Sequence, residues 1–416
     1  MKIIQSYWSL PSKNSDTDIN GRSNGGFLDA RFNCMSWALS CLTLKRFYKQ
    51  VELISDEEGA KLLIDDLKLP YTKVTVCLDE LNHYHPKLWA IGKIKAYQLQ
   101  KKPFLHVDGD IFIWKFFGEN SFNQKALIVQ NIDYDYPWYA TMMESIEHHF
   151  DYIPKAVLLS YRNEENLTGI NAGIIGGTDI GFFQRYTHEA FEFVDRNLVN
   201  LDKINIGLFN NVFEQYLFYC LAKCEKKKIF PFLNLKPHEE FTDAMTFNLL
   251  PNVKSFIHLI GFAKKNIYAC EQVEMRLRYE FPYYYQKICK YFDNSYFSNA
   301  DARYHNLKNT FDFMQKASIN DIMKEKFQLS KDARVIIGNE INTLEYISPQ
   351  TNTSEAIELT DWNTLLEAFA EPISGEEILE FIAQDVSISD SNKLKFDLIN
   401  FITDKLIYKN ILSFTD

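Results

Sequence analysis

Short strand-like runs alternate with helical segments from the N-terminus to about residue 265. The strand-like runs are rich in β-branched and aromatic residues, and in the segments between them apolar residues recur every three to four positions. Such alternation is typical of an α/β domain, in which helices pack on a sheet. The predicted strands are residues 2–8, 51–54, 74–78 and 104–107, and the predicted helices are residues 35–48, 57–67 and 88–100.

A shift in charge indicates a second domain. The 416 residues exceed what one hydrophobic core usually serves, so we expect two domains or three. From Glu340 to Asp416 there are 15 acidic residues against 4 Lys and no Arg, a net charge of 4 − 15 = −11, while the whole chain carries −10. The predicted organisation is a large domain over residues 1–295, a helical linker over 296–331 and an acidic domain over 332–416.

Charge, apolar runs and cysteines exclude several classes of protein. Phosphate backbones are held by clustered Lys and Arg, so the acidic balance argues against nucleic acid as a partner. No apolar run approaches the roughly 20 residues that a helix needs to cross a bilayer, and the N-terminus does not resemble a signal peptide. Seven cysteines without CxxC spacing fit free thiols in a reducing compartment. We therefore expect a cytoplasmic protein without a membrane span.

The strand at 104–107 is followed by two carboxylates, Asp108 and Asp110, with Gly109 between them. Ligands of open α/β sheets bind at the carboxyl ends of the strands, and the glycine would let a phosphate or sugar approach the backbone. Two hard oxygen ligands suit Mg²⁺ or Mn²⁺ bridging a diphosphate. The alternative is a hairpin turn in which Asp-Gly-Asp only joins two strands.

Further motifs lie on either side of this segment in a fixed order. They are Lys93 on the preceding helix, Asn171-Ala172-Gly173, Glu214-Gln215, and His258-x-x-Gly261-x-x-Lys264. With Asp-Gly-Asp, this order resembles the GT-A glycosyltransferases, in particular the glycogenin-like family of retaining enzymes, over residues 1 to about 265. The chain departs from the family pattern at Glu214, where the family has Asp, and at Lys265-Asn266, where it has Pro-Trp.

The resemblance implies a GT-A fold and a role for each matching residue. The implied metal ligands are Asp108, Asp110 and His258, holding Mn²⁺ or Mg²⁺. The implied catalytic residues are Asp110, Asn171 and Gln215. The implied contacts to a nucleoside-diphosphate sugar, with UDP favoured as the nucleotide, are Tyr7, Lys93, Gly173, Gly261 and Lys264. The expected activity is that of a metal-dependent hexosyltransferase that retains the anomeric configuration.

Two other functions and several structural explanations stay open. A nucleotidyltransferase would also use paired carboxylates, but it usually carries an early glycine-rich basic loop that this sequence lacks. A catalytically silent binding module is the other alternative, although intact motif residues argue against it. His258 between apolar neighbours could be a core histidine, Lys93 could lie on a solvated helix face, and Gln215 could be an ordinary polar position.

The region after residue 270 predicts helices and short strands. Residues 271–292 and 308–326 are expected to be helices, and 334–338 and 343–347 strands. Ser374 and Glu377 form a predicted capping box that opens a helix through Ala383, and a last helix is expected over 391–407. The pattern resembles a small winged-helix domain, some of which bind a peptide by adding it to a sheet edge. The acceptor would then be a peptide or protein. Alternatively, the domain packs on the core or mediates a homodimer.

Overall fold

The computed structural model describes residues 2–13, 23–117, 125–134, 136–163, 167–236, 255–292, 317–338, 342–347, 354–359, 361–385, 394–395, 398–399, 401–402 and 411–415. The chain divides into two compact units. The first comprises Met1–Ile260 and Val273–Tyr291, and the second comprises Gly261–Gln272 and Phe292–Asp416. None of the helices in these described segments combines the length and the apolar composition needed to cross a membrane.

A seven-stranded sheet forms the centre of the first unit, in the order β3-β2-β1-β4-β7-β6-β8. Strands β3, β2, β1 and β4 run parallel, β7 is antiparallel to both of its neighbours, and β8 is parallel to β6. A two-stranded ladder of β5 and β9 lies beside it. The strands are β1 (Lys2–Tyr7), β2 (Val51–Ser55), β3 (Lys73–Val76), β4 (Phe104–Val107), β5 (Ile111–Ile113), β6 (Leu127–Asp133), β7 (Gly169–Gly177), β8 (Ile229–Pro231) and β9 (Phe256–His258).

Helices accompany these strands, as expected for an α/β domain. The α-helices are α1 (Leu10–Lys13), α2 (Ala30–Phe47), α3 (Glu57–Ala60), α4 (Ile91–Gln98), α5 (Pro137–His149), α6 (Lys155–Asn163), α7 (Ile180–Asp195), α8 (Ile206–Asn210) and α9 (Leu217–Cys224). Two π-helical segments, Lys61–Asp66 and Asn211–Tyr216, continue α3 and α8. Short 3₁₀ segments are Ser23–Gly26, Leu78–Leu81 and Leu198–Lys203. The predicted α/β class is thus confirmed as a mixed, mostly parallel sheet with helices.

Burial explains why the strand at residues 104–107 was predicted correctly. All four residues of β4 are buried, because the strand lies in the middle of the sheet between β1 and β7. A strand covered on both faces reads as a continuous apolar run. Helix α2 begins five residues before its predicted start because Asp29 is its N-cap and accepts a hydrogen bond from the Arg31 backbone N–H.

The predicted single helix over residues 271–292 is wrong. The chain forms two helices, α10 (Ile267–Glu280) and α11 (Pro282–Tyr291). Pro282 cannot donate a backbone hydrogen bond, and it disfavours helical backbone at the preceding Phe281. At the first position of the new helix the missing N–H costs nothing, so the proline starts α11 as it ends α10.

The second unit contains two small antiparallel sheets, in the orders β14-β10-β15 and β11-β12-β13. A helix predicted to continue to Lys326 ends at Lys324, because Lys326 already pairs with Ser374 in a sheet. The capping box is confirmed, since the Glu377 backbone N–H donates to Ser374 Oγ and the Ser374 N–H donates to Glu377. The elements are α12 (Ile319–Lys324), β10 (Lys326–Leu329), β11 (Ala333–Ile336), β12 (Thr343–Ile347), β13 (Ser354–Glu358), 3₁₀ segment Asp361–Ala370, β14 (Ile373–Ser374), α13 (Gly375–Asp385) and β15 (Leu412–Phe414).

Two predictions for this unit concern residues largely outside the described part of the chain. They are the helix over 391–407 and the first part of the helix over 308–326. The resemblance to a winged-helix domain and its peptide-binding role stay predictions.

Candidate metal centre

The Asp-Gly-Asp segment is a turn at the carboxyl end of β4. The Asp108 backbone N–H donates to the Gly173 carbonyl at 2.9 Å, and the Ile111 N–H closes the turn onto the Asp108 carbonyl at 3.1 Å. Strand β4 pairs with β1 and β7, whereas β5 pairs with β9. The alternative of a simple hairpin is therefore wrong, because the two strands that flank the turn do not pair with each other.

The β5–β9 ladder brings His258 to this turn. Ile111 is paired with His258, and the Leu259 N–H donates to the Asp110 carbonyl at 3.0 Å. His258 Nε2 lies 3.4 Å from Asp110 Oδ1. The fold thus joins two motifs that are far apart in the sequence, as the resemblance implied.

Asp108, Asp110 and His258 can supply one metal-ligating atom each, and all three atoms lie within 4.8 Å of one another. Asp110 and His258 are buried, with exposures of 8% and 5%. Two carboxylate oxygens and one imidazole nitrogen form a donor set that fits Mn²⁺, which accepts both kinds of ligand, better than Mg²⁺, which prefers oxygen alone. Because each residue contributes a single atom at this spacing, the arrangement fits a divalent cation.

Lys93 forms ion pairs with two carboxylates, one of which is Asp108. Its Nζ is 3.0 Å from Asp108 Oδ1 and 2.7 Å from Glu214 Oε1, and it also donates to the Ala172 carbonyl at 3.3 Å. Burial alone would lower the pKa of Lys93, but the two carboxylates outweigh it and the pKa is raised. The lysine was predicted to contact a diphosphate, and such a contact would compete with both ion pairs.

Burial raises the pKa of both Asp108 and Glu214. Lys93 opposes that effect at each carboxyl, while Asp110 adds a like charge beside Asp108. Glu214 is fully buried, and Tyr97 Oη donates to its Oε1 at 3.2 Å. Glu214 therefore belongs to the support of the metal centre, and the sequence comparison with an Asp-Gln pair did not indicate that role.

His106 completes the surroundings of Asp108. Its Nδ1 is 3.6 Å from Asp108 Oδ1, and its Nε2 is 2.9 Å from Ser6 Oγ. Burial holds the pKa of His106 well below its usual range, and the Lys93 cation lowers it further. The imidazole of His106 is therefore neutral, and it adds no positive charge beside Asp108.

A row of polar side chains fixes the backbone of the turn. Ser36 Oγ donates to the Gly109 carbonyl at 2.9 Å, and Ser40 Oγ contacts the Asp108 carbonyl at 3.3 Å. Gln5 Nε2 donates to Ser40 Oγ at 2.9 Å. Sequence reasoning missed these residues, although Ser36 and Ser40 are polar positions one turn apart on the fully buried face of α2.

A side chain at Gly109 or at Gly173 would overlap a neighbouring side chain. A Cβ at Gly109 would lie 2.6 Å from the Trp37 ring, and a Cβ at Gly173 would lie 2.3 Å from His258 Cε1. Gly109 accommodates the buried Trp37, and Gly173 accommodates His258. Their predicted contacts with a phosphate or sugar stay predictions.

Three further predicted site residues, Asn171, Gln215 and Tyr7, form contacts with neighbouring protein groups. Asn171 Oδ1 accepts the Gly173 N–H at 2.9 Å, and Gln215 Oε1 accepts from Tyr139 Oη at 3.4 Å. Both side chains are half-buried. Tyr7 is buried, with its ring centroid 4.9 Å from that of Trp37 in an edge-to-face arrangement. Their roles in binding or catalysis stay predictions.

Gly261 and Lys264 belong to the second compact unit, in the 3₁₀ segment Gly261–Lys265. Gly261 has φ +50°, a left-handed conformation that favours glycine. Lys264 is buried. That Gly261 and Lys264 contact the diphosphate of a donor stays a prediction.

Replacing Gly173 with alanine is expected to displace His258, because the added methyl group would overlap the imidazole and lie 2.7 Å from Gln130 Oε1. We expect Mn²⁺ affinity to fall about 10- to 100-fold and the free energy of unfolding to fall by about 1–3 kcal/mol. Calorimetric titration with Mn²⁺ and urea unfolding measure the two effects. Gly181→Ala is the control, since its Cβ would meet only the Arg185 side chain at 3.4 Å and Asp179 at 3.6 Å. An unchanged Mn²⁺ affinity in Gly173→Ala would contradict the assignment of His258.

Comparison with known proteins identifies a family for this chain, but the description of that family names no activity. A family model described as "Family of unknown function (DUF6734)" matches residues 1–291. The match therefore spans the metal centre and the whole first unit, and it ends where that unit ends. No curated protein matches the chain.

Proposed function

The chain belongs to this family of unknown function, and from the geometry of its site we propose that it is a metal-dependent glycosyltransferase using a nucleoside-diphosphate sugar. The single observation that carries the proposal is the convergence of Asp108, Asp110 and His258 at the carboxyl edge of the central sheet. Ligands of open α/β sheets bind at this edge. The order of motifs, which resembles GT-A enzymes, selects glycosyl transfer among the reactions that such a site could support.

The charges at the site favour a cation-dependent reaction. Lys93 pairs with two carboxylates, Asp108 and Glu214, and Asp110 adds a third negative charge beside Asp108. The excess negative charge would repel a diphosphate. A divalent cation bound by Asp108, Asp110 and His258 would supply Lewis-acid stabilisation of the departing nucleoside diphosphate.

The protein's own residues would then bind and orient the reactants. Asn171 and Gln215 offer half-buried amides that can form hydrogen bonds with sugar hydroxyl groups. In the transfer, the bond between the anomeric carbon and the diphosphate oxygen breaks, and the acceptor oxygen forms the new bond. The acceptor proton leaves with the diphosphate if attack occurs on the same face, as the resemblance to retaining enzymes implies.

His258 should set the preference for Mn²⁺ over Mg²⁺. Because imidazole is a poor ligand for Mg²⁺, His258→Ala is expected to weaken Mn²⁺ binding about 10- to 100-fold and to change Mg²⁺ binding little. Titration with each metal at pH 7.5 measures the ratio of the two affinities. His148→Ala, on the exposed face of α5, is the matched control. A loss of the same size for both metals, or none, would contradict the role of His258 as a ligand.

A screen of nucleotide sugars tests the proposed function. Thermal unfolding is measured with each donor, with and without Mn²⁺. A donor at a hundredfold excess over its dissociation constant stabilises the folded protein by about 2.7 kcal/mol. The proposal predicts that a nucleoside-diphosphate sugar raises the melting temperature only when Mn²⁺ is present. Stabilisation by nucleoside triphosphates in place of sugar donors would favour a nucleotidyltransferase.

A further inference from the structure

A chain of hydrogen bonds runs from His258 away from the metal centre. His258 Nδ1 lies 2.7 Å from Gln130 Oε1, Gln130 Nε2 donates to Asn131 Oδ1 at 3.3 Å, and Asn131 Nδ2 donates to Asp133 Oδ1 at 2.6 Å. We propose that Gln130 is a positioning residue, which fixes the tautomer of His258 that can ligate a metal and is itself oriented through Asn131 by Asp133. This inference rests on the metal centre of the proposed function.

The donor and acceptor roles along these hydrogen bonds follow from Asp133, the last residue in the series. Burial raises the pKa of Asp133 to about 6, so above pH 7 this carboxyl is ionised and can only accept hydrogen bonds. Asn131 must therefore direct its NH₂ group at Asp133 and its oxygen at Gln130. Gln130 in turn directs its NH₂ group at Asn131 and its oxygen at His258.

The orientation of Gln130 decides where the proton of His258 resides. Facing an amide oxygen, Nδ1 must carry the hydrogen, and in the neutral imidazole Nε2 then keeps its lone pair. Nε2 is the atom that lies 3.4 Å from Asp110 Oδ1. With the amide reversed, Nδ1 would have to accept, and Nε2 would carry a hydrogen toward the metal ligands. Metal-ligating histidines generally depend on such an outer partner.

An irregularity in the backbone of β6 allows the Gln130 and Asn131 side chains to form a hydrogen bond. Consecutive side chains of a regular strand point to opposite faces, so Gln130 and Asn131 would not normally meet. The register between β6 and β7 shifts between Val129 and Asn131, which marks an irregularity of the β-bulge kind. Bulges of this kind redirect side chains beside functional sites. Gly173, which has no Cβ, leaves the space in which His258 and Gln130 meet.

Burial gives the arrangement its rigidity. Gln130 and Asn131 are both fully buried. A buried amide that loses its partner costs free energy, so neither side chain can reverse without leaving groups unsatisfied. The proposal therefore distinguishes Gln130 from a residue that only fills space, because a methionine of similar length would pack there but could not accept the Nδ1 hydrogen.

The first test reads the tautomer directly in the metal-free protein. The chain is labelled with ¹⁵N-histidine, and two-bond ¹H–¹⁵N correlations are recorded at pH 8, with the His258 signals assigned by their loss in His258→Ala. We expect the hydrogen on Nδ1 in the wild type and in Gln130→Glu, which keeps an acceptor. Gln130→Met should show a mixture of tautomers. A hydrogen on Nε2 in the wild type, or an unchanged tautomer in Gln130→Met, would overturn the proposal.

The second test measures Mn²⁺ binding by calorimetry. Gln130→Met is expected to weaken binding about 10- to 100-fold, whereas Gln130→Glu should stay within a few-fold of wild type. In a His258→Ala background, Gln130→Met should cause no further loss, because its effect passes through His258. An equal loss in both backgrounds would overturn the proposal.

If Gln130→Met does not fold, the proposal is tested by the His258 tautomer in the wild type and by the tautomer and Mn²⁺ affinity of Gln130→Glu. Absence of Mn²⁺ binding by the wild type would instead refute the metal centre, and the tautomer would still be read independently.

Discussion

Replacing Asp110 with asparagine is expected to reduce cleavage of the donor on the order of a thousandfold while the protein stays folded. The substitution removes one formal charge from the metal ligands without changing the volume of the side chain. Asp110 is one of three residues that can hold the cation, and its carboxylate lies 3.4 Å from His258 Nε2. Stability should not fall, because Asp110 is also a like charge that raises the pKa of Asp108.

Steady-state rates at saturating Mn²⁺ and urea unfolding give the two measurements. Asp202→Asn is the matched control, since Asp202 is exposed in the 3₁₀ segment Leu198–Lys203 and the same charge is lost there. The control should keep its rate and stability. Full activity of Asp110→Asn at saturating Mn²⁺ would show that Asp110 is not a ligand.

Replacing Lys93 with methionine is expected to destabilise the fold by about 3–5 kcal/mol. The substitution leaves Asp108 and Glu214 without the cation that lies between them, and a buried charge that loses its partner is costly. Methionine fills a similar volume, so the effect reports charge more than packing. Urea unfolding at pH 7.5 without metal measures the loss.

Lys95→Met is a matched control on the same helix. Lys95 forms an ion pair with Glu80 at 2.7 Å, but half of the Glu80 side chain is exposed. Exposed pairs contribute about 0–1 kcal/mol, so Lys95→Met should have little effect. Combining Lys93→Met with Glu214→Gln should recover part of the loss. If Lys93→Met and Lys95→Met cost the same, Lys93 does not hold the carboxylates together in the way that the structure indicates.

The cluster of Asp108, Asp110 and His258 was accessible to prediction because its members belong to short motifs in the sequence. Asp108 and Asp110 follow an apolar strand directly, and His258 lies within another short apolar run. Strand β9 then pairs with β5, which begins immediately after Asp110, so two local patterns meet through one ladder. The spacing of the residues alone does not predict that pairing. The two motifs were assigned to one site because their order resembles that of a known family.

The support around the ligands could not be predicted in the same way. Glu214 and Gln130 are polar residues within apolar stretches, and such positions indicate burial without naming a partner. Their partners depend on a π-helical segment that carries Glu214 and on the irregularity in β6 beside Gln130. Both are departures from regular geometry that hydrophobic periodicity does not indicate.

The glycines of the site also show that the sequence does not name the groups that lie close in space. At Gly109 the sequence predicted a close approach of a phosphate or sugar to the backbone, whereas at Gly173 it predicted contact with the donor only through the family resemblance. It could not show that the approaching groups are Trp37 and His258, because the identity of a neighbour in space depends on packing between distant segments. Pro282 marks the break between α10 and α11, but the prediction of a single helix passed over it because helical periodicity continues on both sides.

The most direct test of the account is Mn²⁺-dependent cleavage of a nucleoside-diphosphate sugar by the full chain. The protein is incubated with labelled donors, starting with UDP-sugars, and release of the nucleoside diphosphate is followed with Mn²⁺ and after chelation. The account predicts slow hydrolysis without an acceptor, which requires Mn²⁺ and is lost in Asp110→Asn but not in Asp202→Asn. A wild-type protein that binds Mn²⁺ at Asp108, Asp110 and His258 yet neither binds nor cleaves any nucleoside-diphosphate sugar would contradict it.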